Sequence, residues 1–373
     1  MRSLARVLAL AALLAATPSV ASAGSLNLGV LVDDTAAKAG VYGASSVRPI
    51  ALSNDESTLY VGYLMWGYFD ANPDTLGVYA HDVVTGVRTG QNNDLYNDFS
   101  FSTKGLAVDA AGNIYSNHPD FDQIIVIKPD LSTSVAIDLD VVVDGDAGND
   151  DTKEYDPEGL AVHGNRLFFS TDAGNLGRVY ALDISQFTSG FDPTDTMTLD
   201  TTWGGGDGFA QMAAKNNYGK MAVDASGNVY VPNEDNEVWK VDSAGNDVSS
   251  PLVALPGCAG RQAVDVAVYG GRVYVAYNGD DGDITKAGVG VYDATSGSFV
   301  DFLTDPKLNN AEGVAISSVG DLYVSQGLFG QAGYVDVVFV TDSPLPAPPI
   351  PEPSGLGLVG LGLVGLVRRR RTS

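Results

Sequence analysis

Few residues in this 373-residue chain have both the type and the spacing that catalysis needs. The three histidines, His81, His118 and His163, lie in no catalytic-triad or zinc-binding motif. Cys258 is the single cysteine, which excludes an intramolecular disulfide and a cysteine-based metal site. Nucleophilic catalysis therefore has no support in the residue pattern.

Two acidic, glycine-containing loops could instead hold a cation. Carboxylate and amide oxygens on flexible loops are the ligands that calcium prefers. The first loop lacks the closing glutamate of an EF-hand, because Tyr155 stands at that position. The candidate ligands are Asp144, Asp146, Asn149, Asp150 and Asp151 in the first loop, and Asp280, Asp281 and Asp283 in the second. We expect either calcium sites or solvated polar loops, so calcium is the one cofactor that the sequence indicates.

The overall charge limits the class of partner. The chain has 21 Lys+Arg against 46 Asp+Glu, a formal net charge of −25. An acidic surface repels both nucleic acid and anionic membranes, so we expect no nucleic-acid partner. With 44 glycines and few long runs of helix-forming residues, the composition favours turn-rich β structure.

A recurring phrase indicates the elements that would position these residues. A small-apolar pair, a Gly/Asn turn and an aromatic strand appear in 105–115 and again in 221–231, with looser copies in 50–61, 159–169, 266–275 and 313–324. Each phrase has the chemistry of a β-hairpin. The shared alanines are Ala51, Ala107, Ala161, Ala222, Ala267 and Ala315. Their spacing of 45 to 61 residues predicts one propeller blade per unit.

A third strand follows each hairpin, at 78–82, 124–127, 179–183, 238–242, 289–293 and 334–338. The sequence thus predicts an all-β, six-bladed propeller over residues 24–342. The segment 26–32 belongs to no unit, and we expect it to form the outer strand of the last blade and so close the ring. Closure matters because open strand edges invite aggregation.

The phrase Gly-[Leu/Ile]-Ala-Val-Asp-x-x-Gly-Asn-[Ile/Val]-Tyr resembles the NHL repeat. It is also similar to the wider six-bladed group that includes gluconolactonase-like proteins. This resemblance implies that residues before each inner strand line one mouth of the central channel. In gluconolactonase-like enzymes, Glu, Asn and Asp side chains there hold a divalent metal.

At the channel mouth the resemblance selects Arg48, Lys104, Glu158 and Glu312, each three residues before a shared alanine, and Asp265. The two cations stand where a metal site needs ligands. We expect a mixed-charge mouth, with two alternatives: a small anionic or sugar ligand held by Arg48 and Lys104, or a metal-dependent lactonase-like hydrolase using Glu158 and Glu312.

Two tryptophans could add a sugar-binding surface. Trp66 and Trp203 lie in glycine-rich segments, where an exposed indole could stack on a sugar face. We expect Trp66, Trp203 and Trp239 to pack within the blades, and sugar stacking is the alternative for Trp66 and Trp203.

Both ends of the chain carry targeting signals. Residues 1–23 contain Arg2 and Arg6, an apolar run over 7–16 and then Ala21-Ser-Ala23, the order of a secretory signal peptide rather than of a buried helix. At the other end, a Pro-rich linker (343–354) precedes an apolar stretch and an arginine cluster (355–373). Without the two end segments, residues 24–354 carry 15 basic and 46 acidic residues, a formal net charge of −31.

The C-terminal order of Pro351-Glu352-Pro353, a short apolar helix and Arg368, Arg369, Arg370 and Arg371 resembles the PEP-CTERM sorting signal of Gram-negative bacteria. The resemblance implies signal peptidase and an exosortase-type enzyme as processing partners. It further implies transient inner-membrane association, followed by the cell surface or the extracellular matrix. A plain C-terminal anchor is the alternative.

These features together favour a non-catalytic binding or scaffold module of the cell surface or extracellular matrix, with exopolysaccharide or surface proteins as partners. The metal-dependent hydrolase is the alternative function.

Overall fold

The computed structural model describes residues 27–33, 44–66, 77–92, 101–118, 122–144, 155–171, 177–213, 220–233, 235–254, 261–279, 287–308, 310–326 and 337–346. Strands in these residues form six separate antiparallel sheets, each of them one blade of a propeller. The predicted all-β, six-bladed architecture is confirmed. The signal peptide (1–23), the Pro-Glu-Pro segment and the C-terminal arginines lie outside the described residues.

The strands of the first half are β1 (Leu28–Asp33), β2 (Ala44–Leu52), β3 (Thr58–Trp66), β4 (Val78–Asp82), β5 (Arg88–Asn92), β6 (Phe101–Ser102), β7 (Leu106–Val108), β8 (Ile114–His118), β9 (Gln123–Ile127), β10 (Ser134–Asp138), β11 (Pro157–His163), β12 (Arg166–Thr171) and β13 (Arg178–Asp183). Those of the second half are β14 (Thr198–Leu199), β15 (Phe209–Gln211), β16 (Ala222–Val223), β17 (Val229–Pro232), β18 (Glu237–Val241), β19 (Val253–Ala254), β20 (Arg261–Tyr269), β21 (Arg272–Gly279), β22 (Gly288–Asp293), β23 (Phe299–Leu303), β24 (Gly313–Ile316), β25 (Leu322–Gln326) and β26 (Val337–Thr341). Helical structure in the described residues is limited to a π-helix at Asp140–Asp144, an α-helix at Ser185–Ser189 and a 3-10 turn at Gly204–Gly206.

Each blade runs from an inner to an outer strand in chain order. Blades 1 to 5 are β2-β3-β4-β5, β7-β8-β9-β10, β11-β12-β13-β14, β16-β17-β18-β19 and β20-β21-β22-β23. Two short strands lie off this order, since β6 pairs with β3 and β15 with β13. Blade 6 is β24-β25-β26-β1, so its outer strand comes from the start of the chain. The predicted closure of the ring is confirmed.

The closing strand is held by side chains as well as by the backbone ladder. Leu28 pairs with Thr341 and Asp33 with Val337 across the β1–β26 ladder. In addition, the Leu28 N–H donates to Asp305 at 3.1 Å, and Lys307 donates to the Leu28 carbonyl. These contacts tie β1 to the loop that connects blades 5 and 6.

The core lies between neighbouring blades rather than within them. Buried apolar residues form six clusters in the described part of the chain, and each cluster joins two consecutive blades around the ring. All six shared alanines lie on inner strands, where small side chains let the strands approach the axis. The aromatic residues of the second strands, such as Tyr115 and Tyr230, are fully buried in these clusters.

The repeated turn is organised by its aspartate. Asp109 accepts hydrogen bonds from the backbone N–H groups of Ala111 and Asn113, both at 2.9 Å, and from the Asn113 amide and Tyr115 hydroxyl, both at 2.8 Å. Asp224 accepts the equivalent four bonds in blade 4. The Asp-x-x-Gly-Asn-x-Tyr pattern is therefore a structural lock for the turn between the first and second strands of a blade.

Candidate functional site

The predicted channel mouth lies where the chain runs into the inner strands. Arg48 is in β2, and its side chain is outside the described residues. Lys104 lies two residues before β7, Glu158 is the second residue of β11, Asp265 lies in β20, and Glu312 directly precedes β24. Three of the inner-strand ladders have a register shift here, after Val47, Pro157 and Ala263. Such bulges change the direction in which a side chain points.

Lys104 and Glu158 form an ion pair that joins blades 2 and 3. The Lys104 side chain is 20% exposed, whereas that of Glu158 is 2% exposed. The surrounding backbone is held by the buried Asn117, which accepts from the N–H groups of Lys104 and Gly105 at 2.9 and 2.8 Å. The Asn117 amide also donates to the Glu158 carbonyl at 2.8 Å. A carboxylate fixed against an ammonium is already neutralised, and this disfavours Glu158 as a metal ligand.

Glu312 is buried in blade 6 and engaged by a neighbouring amide. It is 5% exposed, and its carboxylate accepts from the Asn310 side chain at 2.5 Å. Its backbone N–H donates to the Ser325 carbonyl at 2.9 Å. Glu312 is thus positioned by the inner hairpin of blade 6.

Asp265 joins blade 5 to blade 6 and lies beside a lysine that the sequence reasoning missed. The two oxygens of its buried carboxyl accept from the N–H groups of Val266 and Val314, at 2.6 and 2.7 Å. Lys220 pairs with Asp265 in an isolated parallel bridge, and its Nζ donates to the carbonyls of Ile50 and Val314. One lysine therefore connects blades 4, 1 and 6 across the axis.

Burial changes the titration of this pair. It raises the pKa of Asp265 to about 7, against the opposing effect of Lys220 and of the two backbone N–H groups. Burial also lowers the pKa of Lys220, and the charge of Asp265 opposes that shift. Both shifts favour the uncharged forms, as expected of ionisable groups in an apolar surrounding.

Lys220 occupies the position two residues before Ala222, as Asp265 does before Ala267. Counting three residues back from each alanine selected Gly219 instead. A comparison of the position two residues back would have found both charged groups.

The calcium candidates cannot be placed in the same way. Asp146, Asn149, Asp150, Asp151, Asp280, Asp281 and Asp283 lie outside the described residues, as does the side chain of Asp144. Within the described ranges, no three His, Cys, Asp or Glu side chains are grouped to hold a metal ion. The calcium loops stay a prediction.

Several other acidic residues are used in turns. Asp82 accepts from the N–H and hydroxyl of Thr85, both at 2.8 Å, and Asp293 makes the same pair of contacts with Ser296. These hydrogen bonds hold the pKa of both carboxyls below the usual value. Part of the acid excess therefore stabilises turns between the outer strands.

Trp203 is a packing residue, as expected, and the alternative of a sugar platform does not hold for it. The indole is 1% exposed, packs against Phe168 with ring centroids 5.2 Å apart, and donates to the Ser243 carbonyl at 3.1 Å. Gly245 faces the indole at a φ of +77°, and a Cβ there would come within 2.5 Å of the ring. Trp239 is likewise buried. The side chain of Trp66 is outside the described residues.

The C-terminal segment has a recognised sorting function. Residues 349–371 match the family model of the PEP-CTERM protein-sorting motif. The chain carries a PEP-CTERM sorting motif. The motif implies export, sorting to the cell surface and processing by an exosortase. The apolar stretch of the motif is outside the described residues, and no helix inside them is long and apolar enough to span a membrane.

Solved structures resemble the propeller weakly. A streptogramin B lyase structure has a TM-score of 0.49 at 12% identity, covering 80% of each chain. A chain of the nidogen/laminin complex has a TM-score of 0.49 at 15% identity, over 72% of this chain and 84% of that one. The Dos1 propeller has a TM-score of 0.44 at 16% identity, over 80% and 78%. No curated protein matches the sequence. These similarities say nothing about what this chain does, and the architecture rests on its own six sheets.

Proposed function

We propose that this PEP-CTERM propeller is a non-catalytic binding or scaffold module of the cell surface or extracellular matrix. The observation that carries the proposal is the sorting motif at 349–371, attached to a closed ring whose mouth carboxylates have internal partners. Glu158 is paired with Lys104, Glu312 with Asn310, and Asp265 with two backbone N–H groups. Carboxylates held in this way are suited to shaping a rigid surface.

The acidic charge fits a role outside the cell. A formal net charge of −31 over residues 24–354 keeps an exported protein soluble and attracts divalent cations to its surface. Exopolysaccharides and surface proteins are the partners that a matrix location makes available. Lys104 is the described mouth cation with exposed surface, so a polar ligand at the mouth would meet the Lys104–Glu158 pair.

A glycan and metabolite binding screen tests the proposal. The protein used is residues 24–350, which include every described strand of the ring. The screen is run with and without calcium, and each hit is retested on Lys104→Met and on Lys128→Met, the latter removing an exposed lysine paired with Asp130. We expect saturable binding of at least one glycan or metabolite that is weakened by Lys104→Met and unchanged by Lys128→Met. Absence of any hit, or equal effects of both variants, would remove the mouth as the binding surface.

A further inference from the structure

The chain leaves the propeller at a fixed place, beside the first turn of blade 6. This turn joins β24 to β25 over residues 317–321. The Leu345 N–H donates to the Gly320 carbonyl at 2.7 Å, and the Leu345 side chain packs against the cluster between blades 5 and 6. Gly320 has a φ of +96°, and a Cβ there would lie 3.1 Å from the Leu345 carbonyl oxygen. The exit is therefore held on the side that carries the turns between first and second strands, which we call the turn face.

The turn face and the mouth lie at opposite ends of the inner strands. In blade 6, Glu312 precedes β24 and Ser317 follows it, and five residues of extended chain separate the two ends by roughly 17 Å. The π-helix after β10, which contains Val141, belongs to the mouth side. The Leu139 N–H before it donates to the carbonyl of Asp122, at the mouth end of β9.

A short segment joins the exit to the apolar stretch of the sorting motif. The described chain ends at Pro346, and the apolar stretch begins nine residues later at Gly355. Nine residues span at most roughly 30 Å. A bilayer on the mouth side would require this segment to pass around blade 6, which uses more than half of that length. A bilayer on the turn face is reached directly.

Exposed apolar side chains lie on the turn face near the exit. Val319, in the first turn of blade 6, is 62% exposed, and Val84, in the turn between β4 and β5 of blade 1, is 84% exposed. The N–H and hydroxyl of Ser318 donate to the Glu56 carboxylate at 2.5 and 3.0 Å, and the Val83 N–H donates to the same first turn of blade 1 at 3.1 Å. The two valines thus lie on adjoining turns of one face, where they fit shallow contact with lipid.

The acidic residues of the turn face oppose attachment to lipid by charge. Asp55, Glu56 and Asp82 lie in the two turns of blade 1, and anionic headgroups repel them. The C-terminal segment must therefore supply the attachment, because a tether keeps the face at a high effective concentration near the bilayer. The ring without this segment has no tether, and we expect it to stay in solution.

We propose that the turn face is the membrane-facing side of the propeller while the C-terminal apolar stretch is in the bilayer, and that the mouth points away from the lipid. The proposal rests on the membrane step that the sorting motif implies. It is independent of what the mouth binds. The mouth is then accessible to ligands before the tail is processed.

Energy transfer from single sites to acceptors in a membrane tests this orientation on the full chain. Cys258→Ser removes the native thiol, and a donor dye is attached after one further change: Val319→Cys on the turn face, Val30→Cys on the outer strand of blade 6, or Val141→Cys on the mouth side. These valines are 62%, 56% and 46% exposed, so a dye at each leaves the core intact. The chains are reconstituted into phosphatidylcholine and phosphatidylethanolamine vesicles with a rhodamine-labelled lipid in both leaflets, so that insertion in either direction gives the same reading.

We expect the transfer efficiency to be highest from position 319, lower from position 30 and lowest from position 141, because the two ends of the inner strands differ by roughly 17 Å in their distance from the bilayer. The highest transfer from position 30 would mean that the rim of blade 6 faces the membrane. Equal transfer from all three positions, or the highest from position 141, would mean that the turn face is not selected. Each of these results would overturn the proposal.

Two controls test the membrane step itself. Residues 24–350 with the same dyes should show no transfer above that of the free dye, and transfer equal to that of the full chain would exclude the tether as the cause of the orientation. Failure of the full chain to float with vesicles in a density gradient would overturn the proposal by removing the membrane step. None of these results depends on whether the mouth binds a glycan.

Discussion

The closing strand offers the sharpest test of the ring. Leu28 in β1 is 1% exposed and packs into the cluster between blades 5 and 6, whereas Val30, on the same strand, is 56% exposed. Replacing Leu28 with alanine removes buried carbon atoms but leaves its backbone bonds to Asp305 and Lys307 possible. Val30→Ala is the matched control, because it changes the same strand on its exposed side.

The expected loss can be estimated from burial. A buried Leu→Ala change costs about 2–5 kcal/mol, and we expect about 3 kcal/mol here because an outer strand can partly relax into the space. That value reduces the ratio of folded to unfolded protein roughly 150-fold. Val30→Ala should change the free energy of unfolding by no more than about 0.5 kcal/mol.

Urea unfolding of residues 24–350, followed by fluorescence and circular dichroism, measures both changes. Limited proteolysis adds a local readout, since a loosened β1 should be cleaved before the other strands. If Leu28→Ala is no more destabilising than Val30→Ala, the N-terminal strand does not hold the ring closed, and the reasoning is wrong.

Three further predictions concern carboxyl groups. Asp109→Ala should lower the free energy of unfolding, measured with urea, by about 3 kcal/mol, because unpaired buried donors cost about 1–3 kcal/mol each. Asp224→Ala should cost about half as much, because its turn is partly exposed. Lys104→Met should destabilise the protein by about 3 kcal/mol, because it leaves Glu158 charged and buried. Glu158→Gln should cost only about 1 kcal/mol, because water can reach the Lys104 ammonium. Burial, with the nearby charges of Asp156 and Asp140, raises the pKa of Asp122 to about 6. The folded state then binds more protons than the unfolded state between about pH 4 and 6, so stability from this group falls as pH rises through that range. Asp122→Asn keeps an acceptor for the Tyr155 and Asp156 N–H groups and should raise the melting temperature at pH 7.5 more than at pH 4.

Each of these three predictions has an outcome that would contradict it. Equal losses from Asp109→Ala and Asp224→Ala would mean that burial of the turn does not set its cost. A larger loss from Glu158→Gln than from Lys104→Met would reverse the assigned burial of the pair. A gain from Asp122→Asn that is independent of pH would exclude titration of Asp122 as its cause.

The architecture could be predicted because each residue type in the repeat favours a single local structure at its position. Alanine at the crowded axis, Asp-x-x-Gly-Asn in a tight turn and an aromatic residue on the second strand agree with one another in several units. The segment 26–32 belongs to no repeat unit and was therefore expected to complete the last blade. In the structure β1 is the outer strand of that blade. The position of the third strand in blade 6 was predicted less accurately. The predicted range 334–338 overlaps only the first residues of β26, Val337–Thr341.

The site was harder to predict because it depends on where single residues point. Register shifts after Val47, Pro157 and Ala263 break the count from each alanine back to the mouth. The count of three residues also passed over Lys220, which lies two residues before Ala222 and beside Asp265 of the next blade. Bulges of this kind have no reliable sequence signal in a single chain. The partners of Glu158 and Glu312 likewise depend on packing between blades.

An assay for turnover tests the central claim most directly. Purified residues 24–350 are incubated with lactones, esters and phosphoesters, each with magnesium, calcium, manganese or zinc, and products are quantified against buffer. A binding module predicts no product above the buffer rate, in the wild type and in Glu158→Gln and Glu312→Gln alike. Metal-dependent turnover by the wild type that is lost in both variants would contradict the account and establish the hydrolase.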